Sequence, residues 1–185
     1  MPPTTELHCA CGTVRLEVQG APIFTSECHC HSCRMAAARI EALPSAPTFR
    51  APNGGTPFVL YRKDRVRFLA GVESLRSLWL APKRPTRRLV ASCCNTPIFL
   101  EFKGGHWLSL YACLWSPEQR PTMRLRTMLS DLPEGVTLDA EVPGAQHQSL
   151  GFMTSLLGAW IRMGFRRPVI DVGPEPLPLP ANDAA

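Results

Sequence analysis

Between Thr13 and Gln19 apolar and polar residues alternate, with Val14, Leu16 and Val18 on one side and Thr13, Arg15, Glu17 and Gln19 on the other. A period of two is that of a half-buried strand, and Gly20 and Pro22 end it. Apolar, β-branched and aromatic runs predict further strands over Phe58–Tyr61 and Val66–Leu69, joined by a Lys63-Asp64 turn, and others over Ser74–Leu80, Arg87–Ala91 and Ile98–Phe102. Gly104-Gly105 then marks a hairpin-like loop before the apolar run His106–Trp115. The alanine-rich stretch Met35–Leu43 fits a short helix or a buried strand, because periodicity does not separate the two. Pro44–Pro57, with four prolines and Gly54-Gly55, reads as a loop.

The last third has a different texture. Prolines punctuate it from Pro117 to Pro143, with a short strand-like run over Val136–Val142. Ser149–Phe165 places Phe152, Leu156, Leu157, Trp160 and Ile161 at helical spacing, which predicts an amphipathic or largely buried helix. Core packing is the default role of that stripe, with a dimer face as the alternative. Residues 174–185 read as a disordered tail.

Composition narrows the class. A chain of 185 residues, 45% of them hydrophobic, suits one globular domain with an extension. Nineteen prolines, about twice the usual ~5%, favour short strands and turns over a helical bundle. The net charge is +5, and arginine, the better fork for carboxylates and phosphates, supplies 17 of the 20 basic residues. Arg62, Lys63, Arg65 and Arg67, with Lys83, Arg84, Arg87 and Arg88, are candidates for a nucleic-acid patch or for solvated strand faces. Residues 1–7 lack an apolar leader core. Leu150–Ile161 is too short to span a bilayer. The expectation is a soluble, cytoplasmic protein whose thiols stay reduced and favour metal ligation over disulfides.

The cysteines carry the chemistry. Five of the eight lie before residue 34, and three fall within Cys28-His29-Cys30-His31-Ser32-Cys33-Arg34. A tight loop there aims three thiols at one point, and Zn²⁺ takes tetrahedral sulfur or nitrogen ligands, leaving one corner for a fourth ligand, a water or a substrate thiol. His29 and His31 alternate with these cysteines and are expected to face away. Arg34 is placed to help hold the thiols deprotonated. Cys9 and Cys11, before Gly12, point to one side if the backbone is extended. Cys93 and Cys94 are adjacent, so both reach one metal only from a turn, which Asn95 and Pro97 support. Cys113 sits in an apolar run and reads as core. Cys30 and Cys33 also have the spacing of a redox pair, but no thioredoxin-like βαβ pattern surrounds them.

Taken together, the Cys-x-Cys-Gly, Cys-His-Cys-x2-Cys-Arg and Cys-Asn-Thr-Pro elements, with Tyr61 in order between them, resemble the zinc-binding family of glutathione-dependent formaldehyde-activating enzymes, which includes the centromere-protein-V-like domain. The resemblance covers residues 6–116, leaving 117–173 as a C-terminal extension with one helix. It implies a mainly β, Mss4-like β-tent zinc fold with an α-containing extension, and one or two Zn²⁺. One zinc would be structural, held by Cys9, Cys11 and Cys94. The family's further ligand position falls on Ala91, and Cys93 is the candidate to replace it. The other zinc would be open, held by Cys28, Cys30 and Cys33, with glutathione as co-substrate and Arg34 facing its carboxylates. The implied activity is carbon–sulfur lyase-like, on the adduct of a small thiol and an aldehyde. The alternative is a catalytically inactive structural zinc domain that binds a protein or nucleic-acid partner.

Overall fold

The computed structural model describes residues 2–81 and 85–179. Among them, β1 (Thr4–His8), β2 (Arg15–Gln19) and β5 (Val66–Ala70) form a three-stranded antiparallel sheet. The second sheet has seven strands in the order β10-β3-β4-β9-β8-β7-β6. Its members are β3 (Phe24–Cys28), β4 (Thr56–Arg62), β6 (Leu75–Leu78), β7 (Thr86–Ala91), β8 (Thr96–Phe102), β9 (Trp107–Tyr111) and β10 (Leu125–Thr127). Two α-helices complete the fold, α1 (His31–Glu41) and α2 (Leu150–Arg162).

The seven-stranded sheet is covered on both faces. Val59 and Tyr61 of β4 join Leu7, Leu16 and Val18 of the small sheet in one core cluster, whereas Phe58 and Leu60 join residues of α1 and α2 in the other. Burial on both sides explains why β4 reads as a continuous apolar run, while β2, a strand of the small outer sheet, alternates. The Lys63-Asp64 turn does not make a hairpin. β4 pairs with β3 and β9, and β5 pairs with β2, so a single 3₁₀ turn over Lys63–Arg65 carries the chain from one sheet to the other.

The ambiguous stretch after the central cysteines is a helix. Cys33, Ala36, Ala37 and Ile40 make its buried stripe, and the small alanines let it lie close on the sheet. Val136–Val142 forms no strand. Instead β10 runs parallel to β3, and the following segment contributes one bridge, Arg126 to Gly144.

Three contacts fasten the extension to the rest. Arg126 on β10 donates to the buried Glu27 on β3 (3.2 Å) and to Asp139 (2.8 Å). Ser149 caps α2, whose Phe152, Leu156 and Ala159 are buried. His106 Nε2 donates to the Leu156 carbonyl at 2.9 Å while its ring stacks on Trp160. Residues 174–179, expected as part of a disordered tail, are pinned beside β6. Ser77 N–H donates to the Glu175 carbonyl and Leu177 N–H to the Ser77 carbonyl, each at 2.8 Å, and Leu177 is buried. Residues 180–185 lie outside the described residues.

Candidate metal centre

The first cluster joins two distant turns. After β1, Gly12 in the left-handed region lets the chain reverse, with Gly12 N–H donating to the Cys9 carbonyl at 2.9 Å. Cys9 and Cys11 therefore sit on a turn rather than an extended segment, and their sulfurs still meet at 3.5 Å. Between β7 and β8 the chain turns through Asn95, which also has a positive φ of 54°. That turn lets the adjacent Cys93 and Cys94 point the same way. Cys11 and Cys93 sulfurs are 3.3 Å apart, Cys9 and Cys93 3.9 Å, and Cys93 and Cys94 3.9 Å.

A Zn²⁺ with bonds of ~2.3 Å to four sulfurs separates them by about 3.8 Å. The observed spacings bracket that value, and all four sulfurs lie within 4.8 Å of one another. Cys93 thus joins Cys9, Cys11 and Cys94 in one set, while Ala91 is a buried core residue. The Val14 N–H donates to Cys9 Sγ at 3.3 Å, a contact that favours a thiolate. Hydrogen bonds from Thr13 bring the Cys11 thiol down to about 6, while burial and neighbouring thiols push Cys93 up. Four crowded sulfurs cannot all be anionic without a cation among them.

The second cluster is local. Cys28 ends β3, Cys30 is the N-cap of α1 and Cys33 lies in its first turn; their sulfurs lie within 4.8 Å of one another. Cys33 N–H donates to Cys30 Sγ at 3.3 Å, so a sulfur does the work of a capping oxygen. The first turn of α1 has no acidic residue, and thiolate charge there complements the helix dipole. Hydrogen bonds from its neighbouring thiols hold Cys30 far below the ordinary thiol range. The same contacts raise Cys28 to about 11 and push Cys33 well above its usual value. Again one thiolate is tolerated and three are not, which fits a site built around a positive ion.

Arg88 is the residue that sequence reading missed here. Its place in the basic run suggests a nucleic-acid patch or a solvated strand face, yet it is 1% exposed, lines the cavity beside the thiols, and its charge helps lower Cys30. Its Nη2 donates to Ser32, whereas Nε and Nη1 are buried without a partner. Among the described residues no carboxylate pairs with it, so its available counter-charge is sulfur. The available signal was its position. Arg88 and Val90 share the inward face of β7, where an arginine is out of place unless it meets a charge. Arg34 is held differently: its Nη1 donates to the main-chain carbonyls of His29 and Asp131. His29 is buried and bonded to Glu27 at 2.9 Å, and His31 is exposed. Cys113 packs against the second core, with burial raising its pKa to about 12.

The three thiols open onto a cleft of about 950 Å³. Its floor is the inner face of the seven-stranded sheet, with Ser26, Phe58, Leu100 and Ser109. One wall is α2.

The basic runs are mostly engaged elsewhere. Lys63 and Arg87 both pair with Glu101, Arg62 pairs with Asp64 and Arg67 with Glu17. Lys83 and Arg84 lie outside the described residues. Among the described residues no helix is long and apolar enough to cross a membrane.

A family model described as glutathione-dependent formaldehyde-activating enzyme matches residues 4–109. Comparison with curated proteins returned no match. Among solved structures, a crystal structure of a Rhodobacter sphaeroides protein, a structural-genomics target, is similar at 16% identity. The match covers 76% of this chain and 100% of that one, with a TM-score of 0.45. The matched span holds both cysteine clusters and, among the described residues, the strands β1 to β8 with the first three residues of β9. With its mainly β tent-like fold and a helix beyond the matched region, the chain belongs to the glutathione-dependent formaldehyde-activating enzyme family.

Proposed function

We propose that the chain is a zinc protein that joins a small thiol, glutathione or one like it, to an aldehyde, and runs the reverse carbon–sulfur lyase reaction. Cys9, Cys11, Cys93 and Cys94 hold a closed structural zinc; Cys28, Cys30 and Cys33 hold a second with one position open. The observation that carries this reading is the second thiol set, three sulfurs within 4.8 Å lining a cleft large enough for both reactants.

The overall step balances as thiol plus aldehyde giving a hydroxyalkyl thioether. A carbon–sulfur bond forms, the carbonyl π bond opens, and the thiol proton ends on the new hydroxyl oxygen. A zinc ion at the open site supplies acidification of a bound thiol. The chain's own residues do the rest. The three sulfurs sit on the end of a strand and the start of a helix, which would hold a zinc ion beside the cleft that they line. Arg88 balances their charge from the sheet side. The hydroxyls of Ser26 and Ser109, both lining the cleft, are available to the carbonyl oxygen. A cytoplasmic setting would keep all seven thiols reduced.

Metal analysis and cobalt substitution test the reading. Two zinc ions per chain are expected, falling to one in Cys30→Ser, and saturating 2-mercaptoethanol shifts the cobalt ligand-field bands. An unchanged spectrum favours the inactive, partner-binding zinc domain instead.

A further inference from the structure

We infer that Arg167, together with Lys103, holds a carboxylate of the thiol bound at the Cys28/Cys30/Cys33 site and so selects anionic thiols of peptide length. This rests on the thiol-activating function proposed above, and assigns its specificity to a residue beyond the matched family region.

The charges that line the cleft are all of one sign. Arg88, Lys103 and Arg167 take part in the lining, and no aspartate or glutamate does. Arg88 is fully buried, bonded to Ser32, and its charge acts on the sulfurs. Lys103 and Arg167 are exposed, and neither has an acidic partner among the described residues. Both also line a smaller neighbouring pocket, where Glu101 is already engaged by Lys63 and Arg87. Asp171, the other acid of that pocket, forms no ion pair with either. A cleft of one sign draws in a ligand of the other. At an exposed rim a carboxylate keeps part of its hydration, so its desolvation costs little.

The fold places the two cations together. Arg88 pairs with Leu100 on β8, and Lys103 follows three residues later, about 10 Å along the strand at ~3.4 Å per residue. Arg167 arrives from beyond α2. Its Cζ lies 4.5 Å over the Trp160 ring, which in turn stacks on His106. Its Nη1 stands 3.9 Å from where a Cβ would lie on Gly104, the neighbour of Lys103. Contact with the ring restrains the guanidinium and leaves its edge N–H groups for an acceptor. That planar fork matches a carboxylate. Arg34 gives its Nη1 to two main-chain carbonyls and does not line the cleft. A ligand held by sulfur at one end and by Lys103 and Arg167 at the other therefore spans on the order of 10 Å.

Cobalt-loaded full-length protein, titrated with 8-mercaptooctanoate, 8-mercaptooctanol, 3-mercaptopropionate and 2-mercaptoethanol, tests the inference. The long acid should bind about tenfold tighter than the long alcohol, the worth of one charge-assisted hydrogen bond. The short acid, unable to reach the cations, should have no such advantage over 2-mercaptoethanol. Arg167→Gln should remove most of the long acid's advantage, and Arg167→Lys should keep part of it. Glutathione should likewise bind about tenfold tighter than its diethyl ester, with the same dependence on Arg167. In metal-free protein, octanoate should perturb the tryptophan emission with an affinity that Arg167→Gln lowers, while octanol is not weakened. Equal binding of the long acid and alcohol overturns the inference. So does a loss of both alike in Arg167→Gln, which marks a packing role on Trp160. In either case a response to 2-mercaptoethanol leaves the thiol site standing. Failure of every thiol to change the spectrum overturns both readings.

Discussion

Arg88 Nη2 donates to the hydroxyl of Ser32 at 2.9 Å, joining the inner face of β7 to the first turn of α1 across 56 residues of sequence. The bond fixes a fully buried guanidinium beside the helix that carries Cys30 and Cys33. A buried cation without a carboxylate is costly unless an anion lies close by. Here the anion is the thiol cluster.

Replacing Arg88 therefore separates two effects. In metal-free protein, Arg88→Met removes an under-partnered charge, and thermal stability should stay level or rise. In the zinc-loaded protein the thiolates lose their counter-charge, and affinity at the central site should fall about tenfold, equivalent to ~1.4 kcal/mol. Competition with a chromophoric chelator reads the second effect and calorimetry the first. A loss of stability in the metal-free form with unaltered zinc affinity contradicts the assignment.

The four-sulfur cluster predicts that Cys93 and Cys94 matter equally. Cys93→Ser and Cys94→Ser should each remove one zinc per chain. Because structural zinc contributes directly to folding, each should lower stability by about 3 kcal/mol, a fall in Tm of roughly 6–12 °C for a chain of this size. Cys30→Ser should remove the other zinc with a smaller shift. Normal metal content in Cys93→Ser would exclude that residue from the set.

His106 makes stability depend on pH. Burial lowers its pKa, and the positive charges of Arg167 and Lys63 act in the same direction, against the hydrogen bond to Leu156, which raises it. The folded state thus prefers the neutral ring. Its contribution is complete above the unfolded value of about 6.5 and is lost as pH falls below it. Melting temperatures between pH 5 and 8 should drop toward the acid end, with a weaker slope in His106→Gln. An identical slope in the variant would assign the acid sensitivity to another group.

The link between Glu27 and Arg126 holds the extension against the family domain. Arg126→Met leaves a buried carboxylate with only Asn53 and His29 as side-chain partners among the described residues. The expected loss is roughly 3 kcal/mol, the lower end for a buried pair that loses one member. Denaturant unfolding should register it, and Glu27→Gln in the same chain should restore part of it. Additive losses in the double variant would show that the two residues act independently.

What the sequence by itself determined about this protein is what repeats or closes over a few residues. The alternation of Val14, Leu16 and Val18 reports a strand with one buried face. The spacing of Cys28, Cys30 and Cys33 suffices to bring three sulfurs together, because one strand end and one helical turn span all of them. The helical stripe from Phe152 onward is equally local. Tertiary structure alone decided the rest. Phe58–Tyr61 and Val66–Leu69 look like hairpin partners, yet they enter different sheets, and nothing in their own residues states which neighbour each will find. Cys93 and Cys94 share one site because Asn95 takes a left-handed turn and the sheet carries that turn to Cys9 and Cys11. Arg88 changes from a surface charge to the counter-ion of a thiol cluster once β7 is set beneath α1. Short-range periodicity is written in the order of side chains, whereas pairing over fifty residues or more depends on the burial that all the strands achieve together.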